Sequence, residues 1–289
     1  MTQELVSVII PVFNKAAYSR RCFDALMQTA HRPLEIVVVD NGSCDETPAL
    51  VKQVRKQAIG AGIGFQTIRN ASNLGASTAR NQGLEIAKGQ CIVVMDNDVA
   101  IGQRSWASKM MAVLRERPDV AIVGPKLLFA FPPHLVQFAG GAVSPAGRVI
   151  FVGRGKPSDT AELNTVREVQ CFISACWMMP RRIVDELGNF DEAFNPVQFE
   201  DIDYCYRVRN AGYKILYLPQ VTTYHFENVT TGMSATLNST YLIIKNGMEF
   251  KRRWQHMFKK ENGPDDKEAT WAAIDKVPLE RIGKLPIDD

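Results

Sequence analysis

Apolar positions along the chain fall into short continuous runs separated by longer stretches with helical spacing. Residues 6–13 (VSVIIPVF), 34–40 (LEIVVVD) and 91–95 (CIVVM) are apolar and β-prone at nearly every position, as strands buried on both faces are. A further strand is expected at 65–69, after the glycine-rich turn 60–64. Between these runs, 17–29, 47–59 and 76–88 repeat apolar residues every three or four positions. Thr47-Pro48 opens the second of these helices and Gly89 stops the third. Strands alternating with helices of this length predict a mainly parallel sheet with helices on both faces.

Past residue 99 the pattern changes. A helix at about 104–117 and a strand at 120–123 lead into short apolar runs punctuated by Gly and Pro up to 155, which suit hairpins or strand edges, and then into a polar loop at 156–165. The buried segment 170–180 (QCFISACWMMP) runs into a helix at 181–187, ended by Gly188. A helix reaching 211, strands at 214–218 and 221–225 on either side of Pro219-Gln220, and a helix at about 238–260 follow. The tail beyond Gly263 is charged and broken by proline, so little order is expected there apart from a short helix around 268–274.

Two acidic clusters carry the candidate chemistry. Asp96-Asn97-Asp98 comes directly after the strand 91–95, and in an open α/β sheet ligands bind beyond the carboxyl ends of strands. Two carboxylates so close repel one another unless a cation is shared, although D-x-D is also an ordinary polar turn. The second cluster, Glu200-Asp201-Ile202-Asp203, opens a helix, whose dipole favours carboxylates and keeps them ionised. An ionised carboxylate in a cleft is also what a general base requires. His225 ends the strand 221–225, where a lone histidine is more often structural; it would also complete a metal site begun by two carboxylates, imidazole suiting Mn²⁺ better than Ca²⁺.

Composition narrows the class. At 289 residues, 46% hydrophobic and 22% charged, with formal net charge +3, the chain reads as a globular protein without nucleic acid as a partner. Six cysteines without C-x-x-C spacing suit a reducing compartment. No signal-peptide pattern and no apolar run near ~20 residues is present, which leads to an expectation of a cytoplasmic protein. Lys245, Lys251, Arg252, Arg253, Lys259 and Lys260 against the single acid Glu249 give 238–260 the makings of a basic amphipathic helix. It would either pack on the core or rest on an anionic membrane surface. A dinucleotide dehydrogenase would need G-x-G-x-x-G after the first strand, where Pro-Val-Phe-Asn-Lys stands, and no P-loop is present.

Taken in order, these segments resemble the family 2 glycosyltransferases, particularly the rhamnosyltransferase-like branch of bacterial surface-polysaccharide enzymes. The matching stretches are VSVIIPVFN (6–14), EIVVVDNGS (35–43), Asn73-Leu-Gly-Ala with ARNQG (79–83), Asp96-Asn-Asp98, GNFDE (188–192), FEDIDYCYR (199–207) and Tyr213 to His225. The resemblance covers roughly 5–251 and implies an α/β GT-A fold. The GT-A domain would span 1–236, with a nucleotide-binding half at 1–99 and an acceptor-binding half at 100–236, followed by a C-terminal helical extension and tail at 237–289. It implies an inverting transfer from a nucleoside-diphosphate sugar, UDP- or dTDP-linked, with Mn²⁺ or Mg²⁺. By position, Pro11, Phe13, Asp40, Asn73, Gly75, Arg80, Asn81, Asp96 and Asn97 resemble donor contacts, with Asp40 on the pyrimidine. Asp98, His225 and Asp96 resemble metal ligands and Asp201 the catalytic base, while Glu200 would face the acceptor and Trp177 would either face it or pack in the core. Lacking the Q-x-x-R-W motif of polymerising members, the chain resembles enzymes that add one sugar, here to a glycan or lipid-linked glycan. A sugar-nucleotide pyrophosphorylase would need a Gly-rich basic segment after the first strand. A non-catalytic sugar- or nucleotide-binding module is the remaining alternative, against which the joint presence of Asp98, Asp201 and His225 argues.

Overall fold

The apolar runs of the first hundred residues form the parallel core of one large sheet. The structure, a computed structural model, describes residues 4–227, 229, 239–268 and 271–289. In chain order it contains β1 (Val6–Val12), α1 (Ala16–Leu26), β2 (Leu34–Asp40), α2 (Thr47–Gly60), β3 (Gly64–Arg69), α3 (Ala76–Ile86), β4 (Cys91–Met95), β5 (Val99–Ile101) and α4 (Trp106–Glu116). Then come β6 (Val120–Phe129), β7 (Val136–Phe138), the hairpin β8 (Gly141–Val143) and β9 (Val149–Phe151), β10 (Arg167–Glu168), β11 (Cys176–Pro180), α5 (Arg181–Leu187), α6 (Glu200–Asn210), β12 (Lys214–His225) and α7 (Ser239–Phe258).

The sheet runs β3-β2-β1-β4-β11-β6-β12-β10, with β5 added to β12 and β7 to β6. β1 to β4 are mutually parallel, and β6 and β12 pair in parallel, while β11 lies antiparallel between β4 and β6. β2, β4 and β6 are buried along their whole length, which is why their sequences do not alternate. Helices seat closely on this sheet. A Cβ on Gly83 of α3 would stand 2.3 Å from Cγ2 of Ile9 in β1, so glycine is what lets the two backbones meet.

Three segments differ from their expected form. β6 extends to Phe129 through Gly124-Pro125, and β12 is one strand rather than two. The ladder between them shifts register between Leu218 and Thr222, and this irregularity absorbs the prolines on both strands. Of the helix expected at 268–274, the described residues hold only the end of a 3₁₀ turn, Asp266–Glu268; 269–270 lie outside them, as does 238 at the start of α7. The tail is not loose: Ile282 and Leu285 are buried, the Asp288 N–H donates to Gly102 O at 2.9 Å, and its carbonyl accepts from the Arg104 N–H at 2.7 Å. Arg21 adds two bonds, donating to Ile282 O and Gly283 O, both at 2.9 Å. Among the described residues no helix is long and apolar enough to cross a membrane.

Candidate active site

Topology gathers the first acidic cluster and the histidine. After β4 the chain turns through Asp96–Asp98, and β5 pairs antiparallel with β12 so that Val99 lies opposite His225. The Phe226 N–H donates to Asp98 O at 3.1 Å, and His225 Nε2 lies 3.2 Å from Asp98 Oδ1. One donor atom each from Asp96, Asp98 and His225 falls within 4.8 Å of the others. Behind the ring, His225 Nδ1 sits 2.7 Å from Gln137 Oε1. An amide oxygen only accepts, so Nδ1–H donates to Gln137 and leaves Nε2 to face Asp98, as a donor when the ring is protonated and as a cation ligand when it is neutral. Burial works against an imidazolium here, but Asp98, with Asp96 and Glu227 behind it, outweighs burial and raises the His225 pKa. The site therefore demands positive charge, and two carboxylates with one imidazole suit a divalent ion such as Mn²⁺.

The second cluster is drawn to the same place by Arg80. This buried guanidinium holds Asp96 Oδ1 at 2.9 Å with Nη2 and Glu200 Oε1 at 2.7 Å with Nη1. Gln198 and Phe199 precede α6 with φ of 87° and 71°, a left-handed pair that costs free energy and delivers Glu200 and Asp201 into the helix start facing inward. Asp201 Oδ2 accepts from the Ser174 N–H at 2.9 Å, and Oδ1 from the Ile202 N–H at 2.8 Å. The next residue, Ala175, accepts the Asp96 N–H at 3.0 Å, so two adjacent residues tie both clusters together. Burial, then the neighbouring Glu200 charge, push the Asp201 carboxyl up to about 7, against the pull of the Ser174 and Ile202 N–H groups and Arg80.

Both clusters line one cavity of about 820 Å³, as do Pro11, Phe13, Asn73, Arg80, Asn97 and Glu200. Four expected contacts, Trp177, Asp40, Asn81 and Gly75, are not among the described residues that line it. Trp177 is sealed in the core at 0% exposure between Phe190 and Tyr204, and no sugar ring reaches it. Asp40 is buried with Oδ1 taken by the Ser43 N–H at 2.8 Å, and its neighbour Asn41 lines the cavity instead. Asn81 is a clamp, donating to Phe190 O and accepting from the Phe190 N–H, both at 2.9 Å. Gly75, with φ of 93°, gives its carbonyl to Asn41 Nδ2 at 3.1 Å and leaves no room for a Cβ beside Asn195. Glu200 does line the cavity, with one oxygen bound by Arg80. We expect Trp177→Ala to cost about 3–5 kcal/mol of stability; chemical unfolding showing a wild-type midpoint would contradict its core role.

Sequence reasoning missed Gln137, which orients His225, Ser174, which holds Asp201, and Trp271 on the cavity wall. Asn41 was within reach, being the next residue of the same D-N-G-S turn; the other three carry no local signature.

A family model described as "Glycosyl transferase family 2" matches residues 7–188. The O-antigen biosynthesis protein RfbC of Myxococcus xanthus is 28% identical over 245 residues, 82% of this chain and 18% of that protein. Three relatives matched over 244 to 258 residues are much longer proteins, of which this chain spans 18–28%. Among solved structures, GalNAc-T7 with UDP, GalNAc and Mn²⁺ aligns with a TM-score of 0.63 at 18% identity, covering 78% of this chain and 44% of that one. The mannosyltransferase PcManGT of Pyrobaculum calidifontis, in complex with GDP-Man and Mn²⁺, aligns at 0.58 and 19% identity, covering 78% and 57%.

Proposed function

The chain belongs to glycosyl transferase family 2 and has the GT-A fold, and from that premise we propose that it moves one sugar, with inversion, from a nucleoside-diphosphate sugar to an acceptor hydroxyl. The observation carrying this reading is the single cavity lined by Asp201 and by the Asp96–Asp98–His225 cluster, with Arg80 and the Ser174-Ala175 pair joining the two. Asp201 takes the proton of the attacking hydroxyl, for which a carboxyl near 7 is well placed at neutral pH. Arg80 fixes Asp96 and Glu200 and so holds both sides of the reaction in register. Pro11, Phe13, Asn41, Asn73 and Asn97 supply the nucleotide wall, apolar surface beside amides that offer both donors and acceptors. Asp98, His225 and Asp96 would hold a divalent ion, Mn²⁺ or Mg²⁺, which when bound would supply positive charge near the departing diphosphate.

The donor would be a UDP- or dTDP-sugar and the acceptor a glycan or lipid-linked glycan of a surface polysaccharide, as in the rhamnosyltransferase-like branch. Residues 1–236 would carry this chemistry and 237–289 complete the acceptor side. A cytoplasmic protein resting on the membrane face suits α7. This helix buries Leu242, Asn246 and Phe250 and leaves Tyr241, Ile244 and Met248 60%, 57% and 67% exposed, with Lys245 beside them; Ile244, Met248 and Lys251 also line the cavity, so the edge offered to a membrane adjoins the site. Its basic face is smaller than the sequence implied, since Glu249 engages both Arg252 and Arg253, and Arg253 also reaches Asp191 and Asp203.

Nucleoside-diphosphate release from UDP-, dTDP- and GDP-sugars, with Mn²⁺, Mg²⁺ or EDTA and with a membrane extract as acceptor source, tests the reading. Release from one donor, dependent on metal and stimulated by extract, is the expected result. Donor binding without release under every condition would leave a sugar- or nucleotide-binding module.

A further inference from the structure

Trp271 stands on the wall of the cavity at 58% exposure, more open than any other aromatic side chain among the described lining residues. An indole left in water is an unsatisfied apolar surface, and here it is held rigidly in place. The Arg154 guanidinium carbon lies 3.8 Å from the ring centroid, covering one face, and Phe151 meets the ring at 5.2 Å and 65°. Arg154 is itself fixed. It binds both oxygens of Glu227, at 2.6 and 3.0 Å, and Ala272 O at 3.1 Å, with the Arg154 and Glu227 side chains 5% and 9% exposed. Glu227 follows His225 by two residues, adopts φ of 61°, and its carbonyl accepts from Lys276 Nζ. A buried ion pair thus locks the open indole to the end of the strand that carries the histidine.

We propose that the free face of Trp271 is the stacking platform for the acceptor's sugar ring, a specificity element that rests on the transferase reading of the same cavity. The nucleotide wall comes from β1 and the turns after β2, β3 and β4, whereas Trp271 stands with Phe151 and Glu227, from segments beyond β6; this assigns it to the acceptor. A pyranose presents a face of C–H groups to an aromatic surface, and a ring whose orientation is already fixed spends little entropy in receiving it.

The experiment uses methyl glycosides of glucose, galactose, mannose and rhamnose as probes, with wild type, Trp271→Ala and Trp271→Phe. Tryptophan emission of the wild type should respond to at least one glycoside. Trp271→Phe, which keeps Trp106, Trp177 and Trp254, should not respond. In diphosphate release, Trp271→Ala should raise the acceptor KM about tenfold, the factor that ~1.4 kcal/mol carries, with donor KM and acceptor-independent donor hydrolysis unchanged. Trp271→Phe should recover most of the loss. An unchanged acceptor KM in folded Trp271→Ala, an equal fall in donor hydrolysis, or a wild-type emission blind to all four glycosides would overturn the platform. A wild type that hydrolyses no donor would instead overturn the transferase reading, and the emission response would still decide whether a sugar stacks on Trp271.

Discussion

Asp201→Asn should lower the transfer rate by about 10²–10⁴-fold while the protein still binds its donor. The amide keeps the size of the carboxylate and cannot accept a proton, so the loss falls on kcat and spares donor affinity. Wild-type kcat/KM should fall about tenfold per pH unit below 7 and level off above it, since the base must be deprotonated and its carboxyl sits at about 7; the residual activity of the variant should lack that acid limb. The same substitution should stabilise the fold. A carboxyl raised by burial keeps its proton in the folded state between roughly pH 4 and 7, where the unfolded chain has released it. Stability is therefore lost as pH rises through that window, and the deficit is complete above about 7. Removing the charge at pH 8 should return on the order of 2 kcal/mol, after discounting for the edge that faces the cavity and for the weakened bond from Ile202. A variant that transfers at the wild-type rate, or a profile flat from pH 5.5 to 8, would remove Asp201 from the role of base.

Asp98→Ala should cost a comparable factor, about 10²–10³, by a different route. In the wild type, Mn²⁺ should raise the melting temperature by binding only the folded state, and EDTA should reverse it. Without Asp98 the donor set falls to Asp96 and His225, two ligands from strand ends that no longer share a partner, and the Mn²⁺-dependent rise should vanish. The fold itself should persist, because the bond that joins β5 to the end of β12 here runs through the Asp98 carbonyl rather than its side chain. Retention of the Mn²⁺ effect by Asp98→Ala would place the ion elsewhere.

The parallel half of the sheet was legible because its signals are local: β1, β2 and β4 announce themselves as apolar runs, and Thr47-Pro48 and Gly89 punctuate the helices between them. The two acidic clusters were legible for a similar reason, each sitting where a strand or helix begins or ends. Partnership across the chain was not. Asn81 and Asp40 belong to the motifs that carry the family resemblance, yet one clamps the loop at Phe190 and the other braces its own turn. A motif records that a residue is needed, and both scaffold and ligand contacts meet that condition. Trp177 lies in a strand that the sequence marked as buried, and there the simpler reading was the right one. Trp271 failed to stand out because its neighbours are charged. Its position depends on Arg154, and nothing within a helical turn of either residue points to the other.

The placement of β12 between β6 and β10 also orders events in time. His225 follows Asp98 by 127 residues, so at ~5–20 residues per second a ribosome makes one half of the cluster roughly 6–25 s before the other. Between the completion of β6 at Phe129 and the arrival of β12 from Lys214, β6, ten residues that end fully buried, has a bare edge where β12 will lie. The nascent chain thus carries a sticky strand before it carries a site, which makes it a client for chaperones that shield unpaired edges, and its yield on expression should respond to slower translation or added chaperone before its activity does.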